Sequence, residues 1–228
     1  MPEQPGWELE RSLWLRGYRT VIGIDEAGRG CLAGPVTAAA VILPRKPDLP
    51  YRDSKQLRPE VRQELAERLA DEAVARSVGW ASAAEIDELG ILRATHLASY
   101  RALDGLHAGY TVTALVTDYL KLEHAGPVLP VARADQRSLQ VAAASILAKT
   151  SRDALMVELD ERLPGYGFAR HKGYGTQQHL AALDACGPCS EHRLSFAPVA
   201  ARLSAVVPEL QCNDENRTHH RGQLAAVE

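Results

Sequence analysis

Four carboxylates stand at positions where they could form a metal site. Asp25 and Glu26 directly follow an apolar run typical of a buried strand, and Asp118 follows a second run rich in β-branched residues. Asp153 lies within a long helical pattern. Carboxylates brought together repel one another unless cations neutralise them, and oxygen-only ligands favour Mg²⁺ or Mn²⁺. Two such ions about 4 Å apart would support phosphodiester hydrolysis, which is the chemistry these residues predict.

A glycine-rich turn follows the adjacent acids. Because consecutive strand residues point to opposite faces, Asp25 and Glu26 can serve one site only where the strand ends. Gly28 and Gly30 indicate that end, and their N–H groups, with the Arg29 guanidinium, could hold a phosphate or a ribose hydroxyl. A tight turn between two strands explains the same glycines, and Asp118 or Asp153 taken alone is better explained as a cap or a surface acid.

The composition is that of an ordinary globular protein. The chain has 228 residues, of which 46% are hydrophobic and 24% charged, so we expect one domain with attached tails and no fibrous or wholly disordered chain. Its longest early apolar run, residues 36–43, is far shorter than the roughly 20 residues of a membrane span. The first residues lack the apolar block of a signal peptide, so a cytoplasmic protein is expected.

Net charge does not by itself indicate a nucleic-acid partner. The chain has 26 Lys and Arg against 29 Asp and Glu, a net charge of -3 with His neutral. Two stretches, 27–47 and 163–180, nevertheless contain basic residues and no acid. These stretches are candidate surfaces for a polyanion, although short stretches of like charge are also common on solvated loops.

The four cysteines, at positions 31, 186, 189 and 212, are too few for a disulfide framework. Cys186 and Cys189 have the C-x-x-C spacing of a redox site, but the motif follows a helical pattern at 176–185, whereas thioredoxin-like sites open a helix. A zinc site using these two residues and His192 lacks a second ligand pair. The sequence context disfavours both alternatives.

Strand and helix patterns alternate along the chain. The strands are predicted at 19–25, 36–43, 77–81 and 111–117, with a polar loop after Asp118. The helices are predicted from Pro59, from a capping box of Ser82 and Glu85, and at 92–106, 139–163 and 176–185, whereas 165–176 is an irregular loop. This alternation predicts an α/β fold with its acids at strand ends.

Five blocks, in order and spacing, resemble the bacterial ribonuclease HII family: GIDEAGRGCLAGPVTAAAVIL, DSKQL, VAAASILAKTSRD, GYGFARHKGYGT and HRLSFAP. The resemblance implies an α/β, RNase H-like fold, with a mixed central sheet flanked by helices and a small C-terminal helical portion. It also implies an endonuclease that uses Mn²⁺ or Mg²⁺ and acts on RNA/DNA hybrid duplexes and on DNA containing ribonucleotides. Cleavage would fall 5′ of single ribonucleotides and leave 5′-phosphate and 3′-hydroxyl ends, in support of ribonucleotide removal during repair and replication.

The resemblance also implies roles for individual residues. The metal-binding catalytic carboxylates would be Asp25, Glu26, Asp118 and Asp153. The turn that contacts the ribose 2′-hydroxyl would be Gly28, Arg29 and Gly30. Tyr174 would pack on the sugar at the RNA-to-DNA junction, and Lys55 and Lys172 would contact phosphates.

Domain boundaries follow from the extent of the resemblance. We expect an N-terminal extension at 1–18, the catalytic domain at 19–208 and a disordered tail at 209–228.

The sequence departs from the family pattern at two positions beside the acids: Cys31 stands where proline is usual in the family, and Tyr119 stands where glycine is common. A monomer without membrane association is expected. The alternative functions are a non-catalytic hybrid-binding module and a thiol-disulfide oxidoreductase built on the C-x-x-C pair.

Overall fold

A computed structural model describes residues 4–45, 51, 54, 57–106, 110 and 113–203. Lys55, the tail at 209–228 and the first residues of the strand expected at 111–117 lie outside them. The strands are β1 (Thr20–Ala27), β2 (Val36–Ile42), β3 (Ala75–Ala81), β4 (Thr113–Asp118) and β5 (Val128–Val131). The helices are α1 (Glu8–Leu15), α2 (Pro59–Glu72), α3 (Ala83–Leu89), α4 (Ile91–Asp104), α5 (Leu139–Arg162), α6 (Phe168–His171), α7 (Gln177–Cys186) and α8 (Ala197–Leu203), and a 3₁₀ turn spans Ala134–Gln136.

The strands form one mixed sheet in the order β3-β2-β1-β4-β5. β1 and β2 are antiparallel, as are β2 and β3, whereas β1 runs parallel to β4 and β4 parallel to β5. β1 is therefore a central strand with one antiparallel and one parallel neighbour. The mixed sheet flanked by helices confirms the predicted fold class.

Helices cover both faces of the sheet, and the alternation along β1 determines which side chains each face receives. Val21 packs with Val141 of α5 on one face, and Ile24 packs with Ala102 of α4 on the other. Gly23 lies directly under α5, where a Cβ would come within 2.3 Å of the Gln140 backbone. The absence of a side chain at Gly23 thus lets the longest helix sit close to the central strand.

Most of the predicted elements are present. α2 begins with Pro59 at its first turn, and α3 has the expected capping box, because Ser82 Oγ accepts from the Glu85 N–H and the Glu85 carboxylate accepts from the Ser82 N–H. α5 is capped by Ser138, whose side chain accepts from the Val141 N–H. These helices were predictable because their start signals are local.

Several elements are additional to the sequence prediction. β5 lies in the expected polar loop, and α6 is a single helical turn within the expected irregular loop. α1 lies in residues 1–18 and packs Leu9 and Leu13 against the sheet.

In the described part of the chain, no helix is both long enough and apolar enough to cross a bilayer.

Candidate active site

Asp25 of β1 lies beside Asp118, the last residue of the parallel strand β4. β1 does not end at Asp25 and Glu26, as the sequence predicted, but continues to Ala27 because it stays paired with β2. Ile24 of β1 is paired with Thr117 of β4, so the next residue of each strand is an acid in the same register. Parallel neighbours are about 4.8 Å apart, and residues in register point to the same face. Val116 precedes Asp118 by two positions and packs on the α5 side with Val141. Both acids therefore face α5.

The Asp25 carboxylate is buried and held by hydrogen bonds. It is 5% exposed, accepts from the Glu26 N–H at 2.8 Å, and accepts from the Ser145 hydroxyl of α5. Ser145 Oγ lies 2.8 Å from Ser54 Oγ, and since Ser145 donates to Asp25, Ser54 must donate to Ser145. Two hydroxyl groups, those of Ser145 and Ser54, thus form a hydrogen-bonded chain that begins at the Asp25 carboxylate.

The surroundings of Asp25 favour neutralisation of its charge. Burial, followed by the nearby negative charges of Glu26 and Asp118, raises the pKa of Asp25 well above its usual range. Such a group either keeps a proton or binds a cation. Because the interacting acids supply only oxygen ligands, the chemistry of this site fits Mg²⁺ or Mn²⁺.

Glu26 occupies the next position of β1 and by alternation belongs to the α4 side of the sheet. Its Oε1 accepts from Arg29 Nη1 at 3.2 Å, which links the acid to the following turn. Within the described ranges, no three Asp, Glu, His or Cys side chains are arranged to hold a metal ion. The described residues thus provide neighbouring acids but not a complete set of metal ligands.

Asp118 binds the backbone of the 3₁₀ turn that carries Asp135, a carboxylate that the sequence analysis did not select. Its Oδ1 accepts from the Ala134 N–H at 3.1 Å, so the 3₁₀ turn docks on the end of β4. The next residue, Asp135, is 3% exposed. Asp135 is thus a buried acid one residue from the N–H that Asp118 binds, which makes it a candidate member of the same site. The only sequence signal for it is its position just before the Ser138 cap of α5.

Asp153 does not join this group of acids. It follows Ser145 on α5 by about 12 Å along the helix axis, at about 1.5 Å per residue, and its Oδ1 is 2.5 Å from Lys149 Nζ. It lines a cavity of about 410 Å³ together with Thr150 and Lys172. The structure therefore places Asp25 and Asp118 side by side, with Glu26 adjacent to Asp25 in β1, and places Asp153 apart from them.

The turn after the acids has two different glycines. Gly28 has a φ of +88°, and a Cβ there would lie 2.0 Å from Arg152 Nε, so this position requires glycine. A Cβ at Gly30 would have no heavy atom of the described residues within 4 Å, so that part of the turn is open with respect to them. Arg29 between them is 40% exposed. Gly28 therefore serves packing, whereas Gly30 and Arg29 lie on the exposed side of the turn.

Two buried arginines, Arg152 and Arg193, hold this turn. The sequence analysis did not select either residue. Neither guanidinium is exposed to solvent. Arg193 donates to the carbonyls of Gly28, Arg29 and Gly34. Arg152 donates to the carbonyls of Ala33, Pro35 and Lys172. Spacing gives no signal for this role, because arginine at either position is equally typical of a solvated surface.

Tyr174 lies beside the same turn with its ring 41% exposed. Its hydroxyl hydrogen-bonds the buried thiol of Cys31, and Lys149 Nζ is 5.7 Å from the ring centroid. Cys31, which replaces the usual proline, thus contacts Tyr174 directly. Burial, followed by the nearby Cys31, raises the pKa of Tyr174.

Lys172 is turned partly inward. Its Nζ donates to the Ala169 carbonyl at 2.6 Å, and burial lowers the pKa of its ammonium group. The C-x-x-C pair begins at the last residue of α7, as predicted, so Cys186 ends a helix and does not open one. This geometry disfavours the oxidoreductase alternative.

Comparisons with known proteins point to one family. A family model described as Ribonuclease HII matches residues 22–199. The chain is 54% identical over 192 residues to a Ribonuclease HII of Thermus thermophilus, covering 84% of this chain and 93% of that protein. It is 47% identical over 209 residues to the Ribonuclease HII of Geobacter sulfurreducens, covering 89% and 93%.

Solved structures show the same fold at lower identity. The ribonuclease H2 of Pyrococcus horikoshii is similar with a TM-score of 0.68 at 23% identity, covering 82% of this chain and 98% of that one. The structure of Bst-RNase HIII in complex with Mn²⁺ is similar with a TM-score of 0.63 at 21% identity, covering 85% and 72%.

Proposed function

The chain belongs to the ribonuclease HII family and is a metal-dependent endoribonuclease, and from this premise we propose the following substrate and mechanism. The enzyme hydrolyses the RNA strand of RNA/DNA hybrids and cuts duplex DNA on the 5′ side of single embedded ribonucleotides. A two-metal-ion mechanism leaves 5′-phosphate and 3′-hydroxyl ends. The observation that carries this proposal is the pair of facing carboxylates, Asp25 and Asp118, beside a turn with open space above it.

Asp25, Glu26 and Asp118 are proposed as metal ligands, with Asp135 as the fourth carboxylate in place of Asp153. The docking of the Ala134 N–H on Asp118 supports this choice, as does the pairing of Asp153 with Lys149. Mn²⁺ or Mg²⁺, when bound, supplies charge neutralisation and water activation. The acids supply the oxygen ligands, and Ser145 orients Asp25 through its hydrogen bond.

The turn and the Tyr174 loop are proposed to bind the substrate. Arg29 and Gly30 would contact the ribonucleotide, whose 2′-hydroxyl distinguishes RNA from DNA. Tyr174 would pack on the adjacent sugar, and Lys172 and Lys55 would contact phosphates. The exposed ring of Tyr174 beside the turn supports this arrangement.

We further propose that the enzyme is a cytoplasmic monomer that removes ribonucleotides during replication and repair.

Cleavage of a labelled DNA duplex containing one ribonucleotide tests the reaction. We expect cutting 5′ of the ribonucleotide with Mg²⁺ or Mn²⁺, no cutting with chelator, and no cutting by Asp25→Asn. Glu158→Gln, at an exposed acid of α5, is the matched control and should retain full activity. Binding of the duplex without cleavage by folded wild type would instead support the hybrid-binding module.

The fourth carboxylate is tested by comparing two variants. Asp135→Asn should lower kcat by at least about 100-fold and weaken Mn²⁺ binding in calorimetry, because it removes a metal ligand. Asp153→Asn should lower kcat by less than about tenfold and leave Mn²⁺ affinity unchanged. The opposite pattern would return Asp153 to the metal site.

A further inference from the structure

We propose that His179 and His192 are positioning residues that fix the Tyr174 loop through an ordered chain of hydrogen bonds. The inference rests on the proposed role of Tyr174 in substrate binding and extends it to residues that do not touch substrate. The chain runs from the backbone of Cys189 through the two imidazoles to the carbonyl of Tyr174.

The two histidines belong to a buried cluster behind the Tyr174 loop. His179 and His192 are 0% and 1% exposed, and His171 is 7% exposed and stacks on His179 with ring centroids 4.3 Å apart. Phe168 meets His179 edge-on at 5.6 Å. Aromatic packing therefore fixes the ring planes, and His192 Nδ1 faces both the N–H and the Sγ of Cys189, at 3.0 and 3.1 Å.

The backbone determines which nitrogens carry protons. The Cys189 N–H donates to His192 Nδ1 at 3.0 Å, so Nδ1 is an acceptor and the neutral ring carries its proton on Nε2. His192 Nε2 lies 3.0 Å from His179 Nε2, which must then accept. The proton of His179 is thereby left on Nδ1, 3.0 Å from the Tyr174 carbonyl oxygen, to which it donates.

The same buried cluster also binds the backbone N–H of Tyr174. The Tyr174 N–H donates to the His171 carbonyl at 2.9 Å. His171 has its own fixed tautomer, because Nδ1 accepts from the Gly173 N–H and Nε2 is 2.7 Å from the Tyr166 carbonyl oxygen. Both backbone groups of Tyr174 are therefore bound, and the ring is directed toward Cys31 and the open turn.

The proton order requires neutral imidazoles at physiological pH. Burial and the neighbouring His179 lower the pKa of His192 to about 4, and burial lowers the pKa of His179. Both rings are therefore neutral near pH 7, as the chain requires.

Two pairs of substitutions separate positioning from simple packing. An Asn amide reaches the Nδ1 position of histidine and a Gln amide reaches the Nε2 position. His179→Asn therefore keeps a donor for Tyr174, whereas His179→Gln loses it. His192→Gln keeps the donor for His179, whereas His192→Asn loses it and leaves the His179 proton free to move to Nε2.

Kinetics on the duplex with one ribonucleotide give the first readout. We expect KM to rise about tenfold in His179→Gln and His192→Asn, and less than about threefold in His179→Asn and His192→Gln, with Mn²⁺ affinity unchanged in all four. His96→Gln, on α4, is the control. Adding His179→Gln to Tyr174→Ala should give no further loss, because the histidine acts through the tyrosine. Additive losses, or equal effects of Asn and Gln at each position, would overturn the proposal.

Two further readouts need no activity and separate this proposal from the proposed function. Imidazole ¹⁵N shifts of wild type should show the proton on Nδ1 of His179 and on Nε2 of His192. Amide hydrogen exchange at residues 174–176 should accelerate in His179→Gln and not in His179→Asn. Opposite tautomers or unchanged exchange would refute the positioning chain even in a fully active enzyme. An inactive wild type that passes both readouts would refute only the proposed reaction.

Discussion

Tyr119, directly after Asp118, has a backbone conformation that tyrosine rarely adopts. Its φ is +63°, and its ring is 72% exposed, so the side chain gains little packing in return. The backbone is held there because the Tyr119 N–H donates to the carbonyls of Thr117 and Val131 at 3.1 and 3.2 Å. The left-handed region costs an L-residue roughly 1–2 kcal/mol, which explains why glycine suits this position.

Tyr119→Gly should therefore raise the free energy of unfolding by about 1 kcal/mol and Tm by about 2–4 °C. Relief of the backbone strain exceeds the entropy that a glycine adds to the unfolded chain. Urea and thermal unfolding measure the change. Tyr119→Phe, which keeps the Cβ, is the control and should match wild type. A glycine variant no more stable than the phenylalanine variant would show that the turn is unstrained.

Among the secondary-structure elements, the contact between α1 and α5 has a direct bearing on the site. Glu10 of α1 is fully buried, and its Oε1 accepts from the Ser138 hydroxyl and from the Gln140 N–H at the start of α5. An acid at a helix N-terminus complements the helix dipole. Burial nevertheless dominates and raises the pKa of Glu10. α1 thus fixes the end of α5 that follows Asp135.

The pH dependence of stability should show the raised pKa of Glu10. As the pH rises above the ordinary value of 4.5, the unfolded chain releases this proton before the folded protein does, so Glu10 lowers stability with increasing pH. Glu10→Gln removes that proton from the equilibrium. The free energy of unfolding of Glu10→Gln relative to wild type should therefore increase as the pH rises above about 4.5. Urea unfolding at several pH values measures the difference.

Glu8→Gln, at an exposed acid of the same helix, is the matched control and should show no such trend. A difference between Glu10→Gln and wild type that stays constant with pH would mean that Glu10 ionises normally in the folded protein.

Across the molecule, segments far apart in sequence meet at the turn of residues 28–35. Arg193 comes from the segment between α7 and α8, yet its guanidinium binds the carbonyls of Gly28, Arg29 and Gly34. Arg152 comes from α5 and reaches Lys172 as well as the turn. The turn and the Tyr174 loop are therefore held by the same buried charges.

Arg193→Lys should lower the free energy of unfolding by about 2–3 kcal/mol. A lysine ammonium lacks the planar fork that serves several carbonyls at once, so buried acceptors lose their donors. Urea denaturation measures the loss. Arg202→Lys is the control, because Arg202 pairs with the exposed Asp184, and it should change stability by less than about 0.5 kcal/mol. Equal losses in the two variants would contradict the role assigned to Arg193.

The sequence alone predicted four of the five strands, most of the helices, and the positions of Asp25 and Asp118 at or near strand ends. These features follow from local signals: apolar strands that end at acids, capping residues, and a proline at the first turn of α2. The short β5 and the single turn α6 were missed, because so few residues carry no periodic pattern. The fold class was predictable for the same reason as the long elements, since the alternation of strands and helices restricts the topology.

Only the tertiary structure decided which further residues accompany the site. Asp153 lies on α5 and pairs with Lys149, whereas Asp135 follows the residue whose N–H binds Asp118, and we propose Asp135 as the fourth carboxylate on that ground. The burial of Arg193 and the proton order of His179 likewise depend on partners distant in sequence. Residue type and spacing do not encode such contacts, because burial and hydrogen-bond partners arise only when the elements pack.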